Sequence, residues 1–166
     1  MATSHLTKAG KRRLFVALAS LLFTFGAYSQ TCTATFSAEN QKNVGSADED
    51  GTSFTLNLTN TSSARKTYTF TATFAETSCA TPNKSNLGNN VVLDVRFYEQ
   101  LQTKRSAQST ELSAGQSRSI VVDVQVPSGT TFNRWSCIEI NAIDMECGSV
   151  AATQLLRVFV PDPSDE

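Results

Sequence analysis

Few residues in this sequence have the types and the spacing that enzyme chemistry requires. The only histidine is His5, which lies in a segment with the pattern of a removable export signal. Without histidine, the mature chain has no base for a Ser-His-Asp or Cys-His mechanism and no imidazole for a zinc site. Ser63 and Lys66 match the S-x-x-K spacing of a serine nucleophile and its lysine base, but they fall in a predicted hairpin turn instead of at the start of a helix. Chance therefore explains this match better than catalysis does.

Two sets of acidic residues are the remaining candidates for chemistry. Asp123 and Glu139 are carboxylates that a glycosidase pair would use, yet both are predicted on the solvated faces of strands. Asp48 and Asp50 belong to an acidic run, but the EF-hand spacing would place Asn57 at the bidentate position. A looser calcium site at Asp48 and Asp50 is left as an alternative to a solvated turn. The sequence predicts a protein that is not an enzyme and that needs no cofactor.

The first 29 residues have the three parts of a signal peptide. A basic segment is followed by an apolar run of 14 residues, from position 14 to position 27, and then by small residues at Ala27 and Ser29, where a signal peptidase would cut. The alternative, a transmembrane anchor, needs a run of about 20 apolar residues. We therefore predict a signal peptide over residues 1–29, one domain over 30–160 and a polar tail over 161–166. The mature protein is expected to be secreted, periplasmic or associated with the cell surface, without a membrane span.

Charge and length limit what the mature chain can be. The signal peptide contains four basic and no acidic residues, so its removal turns the 14 basic and 15 acidic side chains of the full chain into 10 and 15, a net charge of −5. This balance argues against nucleic acid as a partner, because phosphate binding needs a concentrated positive face. The remaining length suits one domain that buries about two thirds of its unfolded-chain surface, so disulfides would reinforce a core and not replace one.

Apolar and polar residues alternate with a period of two through most of the mature chain, which is typical of strands with one buried face. Phe70 and Val122 are predicted to point inward, whereas Thr71 and Tyr98 are predicted to point outward. A short strand ends before Gly115, which can take the positive φ of a tight turn. The sequence predicts an all-β protein, an immunoglobulin-like antiparallel β-sandwich of seven to eight strands. The other predicted strands cover about residues 31–36, 53–59, 67–74, 91–98, 120–126, 135–144 and 150–160.

Two turn motifs resemble those of a known group of domains. The run from Phe54 to Asn60 ends in an N-x-[TS] turn, and Leu112 to Ser117 follows the pattern L-x-x-G-x-S before the next strand. These features resemble bacterial extracellular immunoglobulin-like and fibronectin type III-like modules of the cell-adhesion-related type, over most of residues 52–160. The resemblance implies an adhesion, spacer or assembly role and no catalytic residues. The chain departs from antibody-type domains, because a tryptophan stands two residues before Cys137 and the second strand has no cysteine.

Four cysteines in an exported chain indicate two disulfides. In sandwiches of this type, alternate strands run in opposite directions, so the start of the first strand and the end of the strand over 135–144 share one pole, where Cys32 and Cys147 lie. Cys79 and Cys137 lie at the opposite pole. The alternative pair of Cys137 with Cys147 would join two ends of one strand, roughly 25 to 30 Å apart. We therefore predict the disulfides Cys32–Cys147 and Cys79–Cys137, with four free thiols as the alternative.

The expected function is that of a noncatalytic interaction or structural module that docks onto a larger extracellular or cell-surface protein assembly. The candidate binding residues are Phe132, Arg134 and Trp135, because aromatic and arginine side chains are enriched at interface hot spots. They lie in or beside the connection over 128–134, at the pole that also gathers the long connections over 39–51 and 76–90. Docking through an exposed sheet edge is the alternative surface.

Two other functions are kept as alternatives. A carbohydrate-binding module would use Trp135, Phe132 and Tyr98 as stacking aromatics, although these residues come from different elements. A pilus-like subunit would need an incomplete sandwich or an exchangeable strand. Three N-x-[ST] sequons are interpreted as polar strand and turn residues of a Ser- and Thr-rich sequence, and they begin at Asn57, Asn60 and Asn83.

Overall fold

The computed structural model describes residues 32–75, 79, 90–100 and 105–165. The predicted signal peptide, residues 1–29, lies outside the described residues, and so do Asn83 and most of the predicted connection over 76–90. Within the described part of the chain, no helix is both long and apolar enough to span a bilayer.

Ten β-strands and two short 3₁₀ segments make up the described fold. All eight predicted strands are present, and two short strands, β2 and β6, are additional. The 3₁₀ segments are Glu39–Gln41 and Pro163–Asp165. The strands are β1 (Ala34–Ala38), β2 (Val44–Ser46), β3 (Thr52–Asn60), β4 (Lys66–Phe74), β5 (Asp94–Gln100), β6 (Arg105–Ser106), β7 (Ser109–Leu112), β8 (Ser117–Gln125), β9 (Arg134–Asp144) and β10 (Ser149–Val160).

The strands form two five-stranded sheets that pack face to face. One sheet has the order β1-β3-β8-β5-β6, and the other has the order β2-β10-β9-β4-β7. The pairings between described strands are antiparallel except that of β2 with β10, which is parallel. Because β1 belongs to the first sheet and β2 to the second, the chain crosses from one sheet to the other between these two strands. The observed class is the predicted one, an all-β immunoglobulin-like sandwich.

The alternation in the sequence places the core between the two sheets. In β3, three apolar residues at every second position are buried, while the polar residues between them are half-buried. Phe70 and Val122 are both buried, as predicted. The ring of Phe70 lies between those of Phe36 and Phe97, at centroid distances of 6.3 and 5.7 Å. Gly115 has a φ of 72°, which confirms the predicted turn before β8.

Strand β5 departs from the prediction in two ways. It begins at Asp94 and not at Val91, because the Val91 N–H donates to the Trp135 carbonyl of β9, in the other sheet, at 2.9 Å. Tyr98 faces outward as predicted, since it pairs with Val121 while Phe97 pairs with the core residue Val122, but it is not exposed as a stacking aromatic would be, because the residue is only 9% exposed. The added strand β6 pairs with β5 at this point, with Ser106 opposite Tyr98, so Tyr98 is no longer at a sheet edge.

The sandwich has two ends, which we call the groove pole and the lysine pole. The groove pole contains the β8–β9 connection (residues 126–133), the turn over residues 48–51 and the segment that follows β10. The lysine pole contains the end of β3, the start of β4 with Lys66, and the β9–β10 turn (residues 145–148). Strand β9 runs from the groove pole to the lysine pole.

Candidate docking groove

The β8–β9 connection presents an aromatic side chain at the groove pole. Its first half is a turn in which the Pro127 carbonyl accepts the Thr130 N–H at 3.1 Å and the Thr130 hydroxyl at 2.7 Å. Its second half is fixed by Asn133, whose N–H donates to the Val160 carbonyl at 2.7 Å. Phe132 is therefore held between two anchored points, and it remains 41% exposed.

A second connection brings acidic side chains to the same pole. In the turn over residues 48–51, the Gly51 N–H donates to the Asp48 carbonyl and the Asp50 N–H donates to the Asp48 carboxylate, both at 3.0 Å. Gly51 has a φ of 78°, and a Cβ there would collide with the Val124 carbonyl oxygen of β8. This close approach of the turn to β8 places Asp48 and Glu49 beside the β8–β9 connection.

These connections and the segment after β10 enclose a groove of about 550 Å³. Ligand pockets in proteins span roughly 300–1,000 Å³ and are mostly apolar with a few polar groups. Asp48 and Glu49 are the charged residues among the described lining of this groove. The apolar part of the lining is rich in proline and consists of Val126, Pro127, Phe132, Val160, Pro161 and Pro163.

Of the three predicted binding residues, Phe132 is the one that lines the groove. Trp135 is 2% exposed, and its ring packs against that of Phe159 at a centroid distance of 5.2 Å. Its assignment as a binding residue is corrected, because β9 is a central strand of its sheet and the side chain is covered there. Arg134 is half-buried, and its guanidinium donates to the Asn133 carbonyl at 3.3 Å. Arg134 is not among the described residues that line the groove.

The other candidate sites are not assembled by the fold. Asp123 lies in β8 and Glu139 in β9, which belong to different sheets, and the residues on either side of each are buried. The two carboxylates therefore lie on opposite outer faces and cannot flank one glycosidic bond. Trp135 and Tyr98 are both buried, which leaves Phe132 as the exposed member of the predicted sugar-stacking set.

Metal-ligating side chains come together at one place among the described residues. That group consists of Cys32, Asp144 and Cys147, whose ligand atoms lie within 4.8 Å of one another. Both of these cysteines are in a disulfide, so their sulfurs are not available as thiolates. In the described part of the chain, Asp48 and Asp50 are not joined by a third such side chain, and a calcium site at these two residues stays a prediction.

Both predicted disulfides are present. Cys32–Cys147 lies at the lysine pole with a Cα–Cα distance of 6.4 Å, and Cys79–Cys137 lies towards the groove pole with a distance of 5.8 Å. Beside the second disulfide, the Asn90 side-chain amide donates to the Cys137 sulfur at 3.1 Å. The chain before β5 is thereby held to the start of β9. Two disulfides are typical of proteins in an oxidising extracellular compartment.

A buried charged cluster at the lysine pole was not predicted. Lys66 is 1% exposed, and its Nζ lies 2.6 Å from Glu146 Oε2 and 3.8 Å from Asp144 Oδ2. The hydrogen bond to Glu146, opposed by burial and assisted by the charge of Asp144, raises the pKa of Lys66. The other oxygen of Asp144 accepts the N–H groups of Glu146 and Cys147 at 2.8 and 3.2 Å. Lys66 is therefore held as an ammonium in an ion pair, and Ser63 of the S-x-x-K match is exposed.

Asn60 is a second buried polar residue of the lysine pole. Its amide nitrogen donates to the carbonyls of Ala64 and Leu112 at 2.7 and 3.0 Å. Its amide oxygen accepts the N–H and the hydroxyl of Ser62, at 3.0 and 2.7 Å, and the hydroxyl of Tyr68 at 3.0 Å. Asn60 is completely buried, so it cannot carry a glycan in the folded chain. The sequence signal was the N-x-[TS] turn, which indicated the bend but not the burial.

No protein-family model and no curated protein sequence matches this chain. Solved structures are similar to it in fold. A family 123 glycoside hydrolase from Clostridium perfringens matches 78% of the chain with 9% identity and a TM-score of 0.53, and the match spans 28% of the hydrolase chain. The E. coli chaperone DraB matches 81% of the chain and 57% of its own length, with 11% identity and a TM-score of 0.44. PapD-like domain 7 of human CEP192 matches 98% of the chain and 96% of its own, with 9% identity and a TM-score of 0.42. At 9% identity, the likeness to the hydrolase shows the fold alone.

Proposed function

We propose that this chain is a noncatalytic, exported module of the bacterial adhesion-related immunoglobulin-like kind, which docks onto a protein of a larger extracellular or cell-surface assembly through the groove. The observation that carries the proposal is the exposure of Phe132, an anchored aromatic side chain in the lining of an apolar groove. Exposed apolar patches mark interaction sites, and aromatic side chains are enriched at interface hot spots.

The sheet edges favour docking through the groove over docking by strand addition. The edge strands β2, β6 and β7 have three, two and four residues, and β1 has five. Such short edges offer few backbone groups to an added strand. Each sheet has five strands in the described part of the chain, which also argues against the pilus-like alternative.

Affinity capture from the cell envelope of the source organism tests this function. The bait is the exported, tagged chain in three forms: wild type, Phe132→Ala and Met145→Ala. Met145 is the matched control, because it is a large apolar side chain, 58% exposed, at the lysine pole. We expect wild type and Met145→Ala to recover the same protein, and Phe132→Ala to recover far less of it, since truncation of a hot spot costs about 2 kcal/mol or more, about thirtyfold in affinity.

Circular dichroism and thermal melting of each form establish that the variants retain the fold. Equal recovery of the partner by all three forms would remove the groove from consideration and leave the sheet edges. Binding of the wild-type chain to a glycan array, without recovery of a protein, would favour the carbohydrate alternative instead.

A further inference from the structure

The polar side-chain atoms around the groove are mostly hydrogen-bond acceptors. Pro127, Pro161 and Pro163 line it and have no N–H. Thr130, also in the lining, already donates both its N–H and its hydroxyl to the Pro127 carbonyl. The carboxylates of the lining only accept when ionised. Ser128 adds a hydroxyl that can donate or accept, so the side chains of the described lining still offer more acceptors than donors to a ligand.

The charge at the groove is unbalanced. Asp48 and Glu49 are both exposed, and neither takes part in an ion pair among the described residues. The described lining contains no lysine or arginine. Asp50 and Asp162 adjoin lining residues in the sequence and add charge of the same sign. A negative concave surface of this kind raises the local concentration of cations.

We infer that the groove takes an extended peptide segment of the protein partner, in which an arginine or lysine stands next to an aliphatic residue. The inference rests on the proposed function and specifies the chemistry of the partner. The aliphatic side chain packs against Phe132 and the prolines, where apolar area is removed from water. The cation has donors and no acceptor, which suits Asp48 and Glu49, and an arginine can bind a carboxylate through two parallel hydrogen bonds.

The ring of Phe132 suits both parts of such a segment. Its face is a contact surface for an aliphatic side chain, and the same face attracts a cation within about 6 Å of its centre. Because the connection that carries Phe132 is anchored on both sides by backbone hydrogen bonds, little conformational entropy is lost from it on docking.

Fluorescence anisotropy with the mature chain and a labelled peptide tests the inference. The peptide is Gly-Ser-Leu-Arg-Leu-Arg-Ser-Gly, and a matched peptide carries citrulline, an uncharged analogue of similar shape, in place of each arginine. The protein forms are wild type, Phe132→Ala, the double variant Asp48→Asn with Glu49→Gln, and Glu139→Gln. Glu139 is the control, because it is an exposed carboxylate of β9 outside the groove.

We expect the citrulline peptide to bind wild type about tenfold more weakly than the arginine peptide, a difference that added salt reduces. The double variant should weaken the arginine peptide by a similar factor and leave the citrulline peptide unchanged. Phe132→Ala should weaken both peptides, and Glu139→Gln should change neither.

Equal affinity of wild type for the two peptides, or no detectable binding of the arginine peptide, would overturn the inference. So would an effect of Glu139→Gln as large as that of the double variant. If Phe132→Ala loses the captured envelope protein while the two peptides bind alike, docking at the groove stands and recognition of a cation is wrong. If Phe132→Ala changes neither the capture nor the peptides, the proposed function is wrong as well.

Discussion

The two poles of this sandwich differ in the burial and the pairing of their polar side chains. At the lysine pole, Lys66, Asp144 and Asn60 are buried, and an ion pair or hydrogen bonds within the chain engage each of them. At the groove pole, Asp48 and Glu49 are exposed and have no ion pair among the described residues. We call the lysine pole closed, because its buried polar groups find their partners within the chain. The groove pole instead leaves hydrogen-bond acceptors and apolar surface exposed, where another molecule can contact them.

Covalent cross-linking does not explain this difference, because there is one disulfide towards each pole. The difference lies in the partners of the charged groups. A buried charge left without a partner is costly, so a closed pole has to satisfy its charges internally, whereas exposed carboxylates are solvated at little cost. Polar groups at the lysine pole are therefore expected to contribute to stability, and those at the groove pole to binding.

The largest effect is expected in the core that the two poles share. Phe70 is buried between two other rings, so Phe70→Ala should lower the free energy of unfolding by about 3–5 kcal/mol. Thr71 is exposed in the same strand, and Thr71→Ala should change it by less than about 0.5 kcal/mol. Urea denaturation, followed by the fluorescence of buried Trp135, measures the free energy of unfolding of each variant. Equal losses would mean that the register of β4 is different.

Removing one disulfide at a time measures how much the covalent bond near each pole contributes to the free energy of unfolding. The Cys32–Cys147 bridge spans 115 residues and the Cys79–Cys137 bridge spans 58. Replacing either pair by alanine should lower the free energy of unfolding by about 2–5 kcal/mol, with the longer loop costing about 0.5 kcal/mol more. Nonreducing peptide mapping of the wild type checks the pairing, and free thiols at these positions would contradict it.

The same two variants sharpen the comparison of the poles. Cys79–Cys137 holds the start of β9, which directly follows the connection that carries Phe132. Its removal should therefore weaken partner capture more than removal of Cys32–Cys147 does, when both variants are assayed under conditions in which they are folded. A larger loss of capture on opening the lysine-pole bridge would contradict docking at the groove pole.

A smaller effect is expected from the buried amide of the lysine pole. Asn60→Ala leaves buried donors and acceptors without partners and should lower the free energy of unfolding by about 1–3 kcal/mol. Asn57 is the matched control, because it also begins an N-x-[ST] sequence and its side chain accepts only an exposed contact, from the Ser119 hydroxyl at 2.6 Å. Asn57→Ala should change stability by less than about 0.5 kcal/mol. Similar losses from the two substitutions in urea would contradict the closed nature of this pole.

Local patterns were sufficient to predict most of the fold. Alternation with a period of two depends on a few neighbouring residues, so β3, β4, β8, β9 and β10 are close to their predicted bounds. The disulfide pairing followed from the direction of the strands, which the order of strands fixes. Strands β2 and β6 were missed because three and two residues are too short to show alternation.

The two poles were harder to predict because their side chains meet across long sequence separations. Lys66 and Glu146 are 80 residues apart, and nothing near Lys66 in the sequence distinguishes a buried lysine from a solvated one. The groove likewise combines the turn at Asp48 with Phe132 and the segment after β10. Phe132 was identified from its residue type alone, and Trp135 was assigned to binding by the same reasoning although β9 buries it.

The smallest effect concerns the alkaline stability of the lysine pole. The hydrogen bond to Glu146 raises the pKa of Lys66, so the folded chain holds this proton more tightly than the unfolded chain. The stabilisation is then fully present below the unfolded value of about 10.4 and is lost as the pH rises through the folded pKa. Burial, with a smaller contribution from Asp144, also raises the pKa of Tyr68, which adds a loss of the same sign above about pH 10.

Glu146→Gln separates the contributions of Lys66 and Tyr68 to the loss of stability at alkaline pH. It removes the largest cause of the raised pKa of Lys66 and leaves Tyr68 buried, so the melting temperature of the variant should fall less steeply than that of wild type above about pH 10. Glu111→Gln is the control, because it breaks a solvent-exposed ion pair with Arg65 at 3.0 Å and should leave the slope unchanged. Identical slopes for wild type and Glu146→Gln would contradict the role of Glu146. At neutral pH the protons of Lys66 and Tyr68 are in place in both the folded and the unfolded chain, so these two groups affect the pH dependence of stability only in the alkaline range.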